Sequence, residues 1–389
     1  MRRISILVGL CCGLWAVKGQ AQNYDQQLQR ASAKMGQQDY CGAVREFQVA
    51  FADSTKAGPF DVFAGTIAAA NCPAYRTQAL QWLLRIPRFA ELSVTAQDVR
   101  NIAQEAGLRS LYDAPQWHYF LAQMQAHSQR REKAAQQAAQ QWLTSAQQNA
   151  LPSPARRKQY GSAVPGFARY TVSADTVRAP YLVYVPQSYD PTTPAPLLVY
   201  LHGGVASATQ FRINDPGVAQ EPIFRAAEEQ RALVLYPYGR KSFGWVEHKV
   251  ALAAVRQMVA EVQARYHVNA RRIYLGGMSN GGTAAFWYAC QQPRGFAGFY
   301  ALSAMPVSSL GPLRFQTLAS GPPLYSLNAE DDDVFPYQEV AAIYQQHSAQ
   351  APQWHFESRS TGGHGFLYGS DGLTALQALL VQLMGSPTK

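Results

Sequence analysis

A chain of 389 residues with 47% hydrophobic and 15% charged side chains carries enough apolar material for one large or two smaller cores. The formal charge of +9 is dispersed. Its one local cluster is Arg156-Arg157-Lys158, and Arg2, Arg3 and Lys18 lie at the start. No basic face and no recognisable module accompanies that excess, so no nucleic-acid partner is expected.

Residues 1–22 have the grammar of an export signal. Arg2-Arg3 form a charged start, Ile4 to Val17 a short apolar run, and Gly19 and Ala21 the small residues of a cleavage site. The expected location is therefore periplasmic or extracellular. The run is too short to span a bilayer, and no later stretch approaches the length of a transmembrane segment. Cys11 and Cys12 raise a lipid anchor as an alternative, although Val8-Gly9-Leu10 lacks the small residue wanted directly before a lipidated cysteine. Cys41, Cys72 and Cys290 remain after cleavage, an odd number, and a Cys41–Cys72 bridge is an open option in an oxidising compartment. No cysteine or histidine spacing suggests a metal site, and no cofactor is expected.

Residues 23–150 read as all-helical, rich in Gln and Ala and poor in β-branched runs. Tyr40, Ala43, Phe47 and Ala50 follow a three, four, three spacing, and Ala79, Leu83 and Ile86 repeat its last three positions. Such spacing sets small and large apolar residues on one helix face. The pattern resembles tetratricopeptide units, though only their second helices match well. Further helices are expected over Leu92 to Met124, with Trp117 and Phe120 facing inward, then a separate polar helix over Arg130 to Gln148. The region reads equally as a helical appendage or as a concave surface for a protein partner. Leu151-Pro152-Ser153-Pro154 opens a linker, residues 151–168, because prolines stop a helix.

From residue 169 to 385 the pattern changes to strand–helix alternation. Apolar runs at Tyr181 to Val185, Leu197 to Leu201, Leu233 to Tyr236, Ile273 to Leu275, Gly298 to Leu302 and Leu324 to Leu327 read as buried strands. Pro222 to Gln230, Val250 to Arg265 and Gly281 to Gln291 read as helices between them. This order predicts an α/β domain with a mostly parallel sheet covered on both faces. Its functional groups belong at the carboxyl ends of the strands.

Gly277-Met278-Ser279-Asn280-Gly281 sits between the strand Arg272 to Leu275 and the helix that follows. A serine on a sharp strand-to-helix turn, flanked by glycines, is the arrangement of an exposed nucleophile. An acid and then a histidine should follow in the chain. His364, in the loop Thr361-Gly362-Gly363-His364-Gly365, is the candidate base, with His355 in the preceding strand as the alternative. The acid should follow the strand Pro323 to Leu327, where Glu330, Asp331, Asp332 and Asp333 stand in a row. The frame ending in Pro336-Tyr337 favours Asp332 over Asp331 and Asp333. The Asn280 N–H is one expected oxyanion donor. The turn His202-Gly203-Gly204-Val205 should supply the other from Gly204 or Val205. His202 precedes the nucleophile and is expected to orient that turn.

The second region resembles the exported esterase family of the α/β-hydrolase superfamily that includes polyhydroxybutyrate depolymerase-like and feruloyl esterase-like enzymes. The resemblance rests on Leu201-His202-Gly203-Gly204, Gly244-Trp245, the approach Tyr266-His267-Val268 to Arg272-Ile273-Tyr274, and the Gly277 to Gly282 turn. It implies a serine carboxylic ester hydrolase with Ser279, Asp332 and His364 as triad, acting on a small-molecule or carbohydrate- or polymer-linked ester. It also implies substrate contacts from His202, Gly203 and Trp245, with Trp245 as a pocket wall. Tyr238 stands where relatives usually carry an aspartate. A serine peptidase on the same fold, and a binding protein working through its helical region, are the rival readings.

Overall fold

The computed structural model describes residues 21–53, 55–152 and 163–385. The expected export signal, apart from its last two residues, and the Arg156-Arg157-Lys158 cluster lie outside the described residues. Two compact units divide between Gln137 and Ala138.

The first unit is helical. Its elements are α1 (Ala21–Gly36), α2 (Tyr40–Ala50), α3 (Pro59–Ala70), α4 (Arg76–Arg85), α5 (Ala96–Ala103) and the first part of α6 (Pro115–Gln148). Helix starts follow local chemistry. Asp39 caps α2 by accepting the Gly42 N–H at 2.8 Å, and Thr95 and Asp98 form a reciprocal capping box on α5. Helices pack in chain order, α1 on α2, α2 on α3 and α3 on α4. The spacing read from the sequence is the buried stripe: Ala43, Phe47 and Ala50 of α2, with Ala79 and Leu83 of α4 and Ile86 just beyond it, are all core residues. Phe47 and Phe51 each meet Trp82 edge to face within that core. Trp117 and Phe120 point inward as expected, but no break separates them from Arg130 to Gln148. Residues 116–151 contain no Gly or Pro, so the Ala- and Gln-rich stretch has nothing to end it and runs as one helix.

Cys41 and Cys72 are bonded, with Cα atoms 5.3 Å apart, tying the start of α2 to the end of α3 across 31 residues. Cross-linking a loop of that length is worth about 2–4 kcal/mol through the unfolded chain. Replacing both cysteines by alanine is expected to lower the stability of the helical unit by that amount, read as a lower urea midpoint; an unchanged midpoint under oxidising conditions would contradict it.

The second unit is an eight-stranded sheet in the order β1-β2-β4-β3-β5-β6-β7-β8. The strands are β1 (Gly166–Ala174), β2 (Val177–Val185), β3 (Ala195–Leu201), β4 (Leu233–Pro237), β5 (Val268–Met278), β6 (Gly298–Leu302), β7 (Leu324–Ala329) and β8 (Trp354–Arg359). β2 runs antiparallel to β1 and to β4, and every pair from β4 to β8 is parallel. Its helices are α7 (Pro222–Gln230), α8 (Lys249–Arg265), α9 (Asn280–Gln291), α10 (Tyr337–His347) and α11 (Gly372–Met384).

Every residue of β3, β4 and β6 is buried, which is why these strands read as unbroken apolar runs. Alternate side chains feed opposite layers. Leu197, Val199 and Leu201 enter the core that also holds α8 and α9. Leu198 and Tyr200 enter the one that holds α7 and α11. The end of α6 belongs here too: the Trp142 ring meets Phe167 at 4.9 Å, and its indole N–H donates to the Ile213 carbonyl.

Candidate active site

Strand β5 runs on through Gly276 and Gly277 to Met278, and α9 begins at Asn280. Ser279 is the single residue between them. It holds φ 54° and ψ −119°, a conformation that costs a non-glycine residue about 1–3 kcal/mol. The surroundings leave it no alternative. Its N–H donates to the Leu302 carbonyl of β6 at 2.9 Å, and its own carbonyl accepts the Thr283 N–H at 2.9 Å. Glycine is required on both sides because the chain passes against the end of β3. A Cβ at Gly277 would lie 2.0 Å from the Leu201 carbonyl oxygen, and one at Gly281 1.7 Å from it.

The Ser279 Oγ meets His364 Nε2 at 2.9 Å. The other ring nitrogen, Nδ1, lies 2.9 and 3.1 Å from the two carboxylate oxygens of Asp332. A carboxylate accepts, so Nδ1 carries the proton and Nε2 is left bare toward the serine hydroxyl. The Asp332 side chain is fully shielded from solvent, while that of His364 is 19% exposed. Asp332 Oδ1 also accepts the Val334 and Phe335 N–H groups at 2.9 and 2.8 Å, which fixes the rotamer from below. Phe335 closes edge-on against the imidazole at 5.1 Å.

The neighbouring acids do different work. Asp331 accepts the Gly362 and Gly363 N–H groups at 3.1 and 2.7 Å, and these bonds hold its carboxyl below the usual carboxylate range. It thereby ties the loop that carries His364 to the end of β7. Glu330 accepts from the Ser358 hydroxyl, and Asp333 is exposed. His355 is exposed on β8, stacked on Tyr325. None of these reaches the serine.

The turn after β3 faces the elbow. Gly203 comes so close that a Cβ on it would sit 3.1 Å from the Ser279 Cβ. The Gly203, Gly204 and Val205 N–H groups donate to no protein acceptor among the described residues, and Asn280, at the first position of α9, has no helical acceptor to bond. Free amides and a helix N-terminus together favour a developing negative charge. His202 is committed elsewhere. Its Nε2 accepts the Gly239 N–H at 3.0 Å and its Nδ1 donates to the Gly203 carbonyl at 2.7 Å, so it pins the turn to the loop after β4.

A cleft of about 620 Å³ opens over Ser279 and His364. His202, Gly203 and Gly204 line it, as expected. Trp245 does not: it is buried behind His202, edge-on at 5.0 Å, and supports that ring instead of forming a wall. Val205 likewise turns its side chain away, against Gly239 and Gly244. The other wall consists of residues that no motif singled out: Arg212, Asp215, Glu221, Tyr236 and Tyr368, together with Tyr238. Spacing carried no signal for them, since they come from four separate segments. Among the described residues, no cluster of three or more His, Cys, Asp or Glu side chains is arranged to hold a metal ion.

The sheet order, the elbow and the returning histidine loop make the second unit an α/β-hydrolase fold. Residues 236–378 match the dienelactone hydrolase family. Ser279, Asp332 and His364 all lie within that stretch. The chain is 26% identical over 172 residues to a bifunctional acetylxylan esterase/xylanase of Neocallimastix patriciarum, an alignment covering 43% of this chain and 23% of that protein. It is 30% identical over 115 residues to a proline iminopeptidase of Clostridium botulinum, covering 29% of this chain and 36% of that one. The chain thus spans about a quarter to a third of the length of these relatives. Among solved structures, a fluorophosphonate-binding serine hydrolase of Staphylococcus aureus aligns with a TM-score of 0.45 at 16% identity, over 57% of this chain and all of its own.

The tether and the half-buried His202 can each be tested. Asp331→Ala should loosen the His364 loop, so the Gly362 and Gly363 amides should exchange with solvent severalfold faster by NMR or mass spectrometry. Unaltered exchange would show the loop to be held by other contacts. Burial, with a smaller contribution from Arg212, pushes His202 down to about 4 from 6.5. Below pH 6.5 the unfolded chain takes up a proton that the folded site refuses, so stability is full above that pH and falls as pH drops toward 4. The loss is on the order of 3 kcal/mol. His202→Gln should flatten this slope in urea titrations between pH 4 and 6.5; an equal slope would contradict it.

Proposed function

We propose that the protein is a serine hydrolase that cleaves carboxylic esters by acyl transfer. The observation that carries this reading is the unbroken hydrogen-bond chain from Asp332 through His364 to the Ser279 Oγ, at 2.9 Å on each side of the imidazole. Ser279 Oγ attacks the ester carbonyl carbon while His364 Nε2 takes its proton. Asp332 holds the tautomer that makes this possible and faces the imidazolium that results. The carbonyl oxygen becomes an oxyanion beneath the Asn280 N–H and the free amides of the Gly203–Val205 turn. Collapse of the tetrahedral intermediate breaks the bond to the alcohol, which leaves with the proton from His364. Water then gives a proton to His364 and attacks the acyl-serine; the bond to Ser279 Oγ breaks, the acid leaves, and Oγ takes the proton back from His364.

The Cys41–Cys72 bridge, in a chain whose first residues have export grammar, supports action in an oxidising compartment, periplasmic or extracellular. The partial relatives, an acetylxylan esterase/xylanase and a proline iminopeptidase, include both ester and amide cleavage among their activities. The triad serves either, so the test must contain both bonds. Purified protein should hydrolyse short p-nitrophenyl esters and be labelled by a fluorophosphonate probe. Ser279→Ala should lower turnover by at least about a thousandfold and abolish labelling, with the fold retained. Turnover undiminished in that variant would reject the assignment, and faster cleavage of peptide amides than of esters would replace esterase by peptidase.

A further inference from the structure

The cleft wall away from the triad has a composition that acyl transfer does not use. Glu221, directly before α7, is half-buried at its centre. Its carboxylate accepts the Tyr368 hydroxyl at 3.1 Å and, more weakly, the Tyr236 hydroxyl at 3.5 Å. Burial raises its pKa above the ordinary glutamate value. Among the described residues it forms no ion pair, although Arg212 lines the same cleft. A desolvated carboxylate in a ligand-accessible cleft with no cationic partner is costly unless a ligand adds hydrogen bonds to it.

Tyr238 is a second and independent sign. The residue is 3% exposed, it lines the cleft, and its hydroxyl has no hydrogen-bond partner among the described residues. Buried hydroxyls are ordinarily satisfied, and this one, closed to water, is an orphan on a residue that lines the cleft. The aromatic faces here are not the offered surface. Tyr236 is stacked between His202 and Tyr200, at 5.4 and 5.9 Å, so only its hydroxyl edge is left to a ligand. The wall therefore presents oxygen atoms: a carboxylate that accepts and phenol groups that accept or donate.

We propose that Glu221 and Tyr238 form a specificity-determining subsite that takes a neutral, hydroxyl-bearing part of the ester and rejects a carboxylate-bearing one. A ligand hydroxyl donates to the Glu221 carboxylate and bonds the Tyr238 oxygen. A carboxylate in its place meets Glu221 as a like charge in a poorly solvated position, while Arg212 and Asp215, both exposed at the cleft, carry opposite charges that offset each other. The inference rests on the esterase reading of Ser279, and names what that site selects.

The test compares three acetates of similar size: 2,3-dihydroxypropyl acetate, butyl acetate and 3-acetoxypropanoate, with acetate release as the readout. Wild-type protein is expected to favour the dihydroxypropyl ester over each of the others by at least about tenfold in kcat/KM. Glu221→Gln should narrow the gap to the anionic ester, and Tyr238→Phe the gap to butyl acetate, each by about tenfold and chiefly through KM. Ratios equal to wild type in both variants, with thermal melts showing that they fold, would overturn the subsite while leaving the esterase standing. If no acetate is cleaved by wild type while the fluorophosphonate probe also fails, the esterase reading falls. The subsite is then judged by calorimetry of 2,3-dihydroxypropyl acetate with Ser279→Ala protein. Binding that weakens about tenfold on adding Glu221→Gln supports it, and undetectable or unchanged binding overturns it.

Discussion

The contact on which the second unit depends is the passage of a glycine backbone across the Leu201 carbonyl. Strands β3 and β5 pair Leu201 with Gly277, and β5 and β6 pair Met278 with Leu302. Their register decides where the chain can turn. Ser279 is caught where its amide must reach Leu302 and its two glycine neighbours must clear Leu201. The positive φ at Ser279 follows from that crowding. Strain of about 1–3 kcal/mol is tolerable because burial of three flanking strands over-determines the turn. A rigid sheet thus holds the serine oxygen at the strand ends, and no flexible loop is asked to place it.

The remaining polar groups are arranged so that backbone, more than side chain, fixes each one. His202 spends both ring nitrogens on main-chain atoms and has none left for proton transfer. Asp332 accepts two main-chain amides beside the imidazole, and Asp331 accepts two more from the histidine loop. The consecutive aspartates share the placement of one imidazole. Asp331 sets where His364 stands, and Asp332 sets which way its ring points. Both lie just past β7, so the serine, the acid and the loop tether all refer to the same sheet.

Much of this was legible in the sequence for identifiable reasons. Strands buried on both faces leave runs such as Leu197 to Leu201, and the elbow is marked by glycines that sterics demand. The acid was harder, since four carboxylates in a row look alike; what separates Asp332 from Asp331 is which side of the turn faces the loop, a property of three dimensions. Of the β1–β2 hairpin only Tyr181 to Val185 reads as a strand, because the turn before it carries Asp175 at φ 51° where a glycine would announce a hairpin. Helix α6 reads as two in the sequence because its apolar stripe fades after Met124, although nothing in the chain ends it. The resemblance implies Trp245 as a pocket wall, and the structure makes it a buried prop for His202 instead.

Glu221 and Tyr238 belong to a different order of information. The nucleophile is defined by residues adjacent in sequence, because a strand-to-helix turn is a local object. A cleft wall is assembled from the loop after β3, the start of α7, the end of β4 and the segment before α11, and no spacing rule links them. The two parts also answer to different constraints. At the elbow, the Leu201 carbonyl blocks any side chain at Gly277 or Gly281, so the chemistry of the serine is hard to alter without unpacking the sheet. The cleft wall is made of side chains whose rings and stems are partly core, and a change confined to a tip, such as loss of the Tyr238 hydroxyl, leaves that packing in place. Selectivity can therefore change while the serine, its base and its turn stay as they are. In the proposed esterase, substrate preference is therefore to be sought in the Tyr238 hydroxyl, which has no partner among the described residues, and in the Glu221 carboxylate, held by tyrosine hydroxyls alone, and not in the proposed triad.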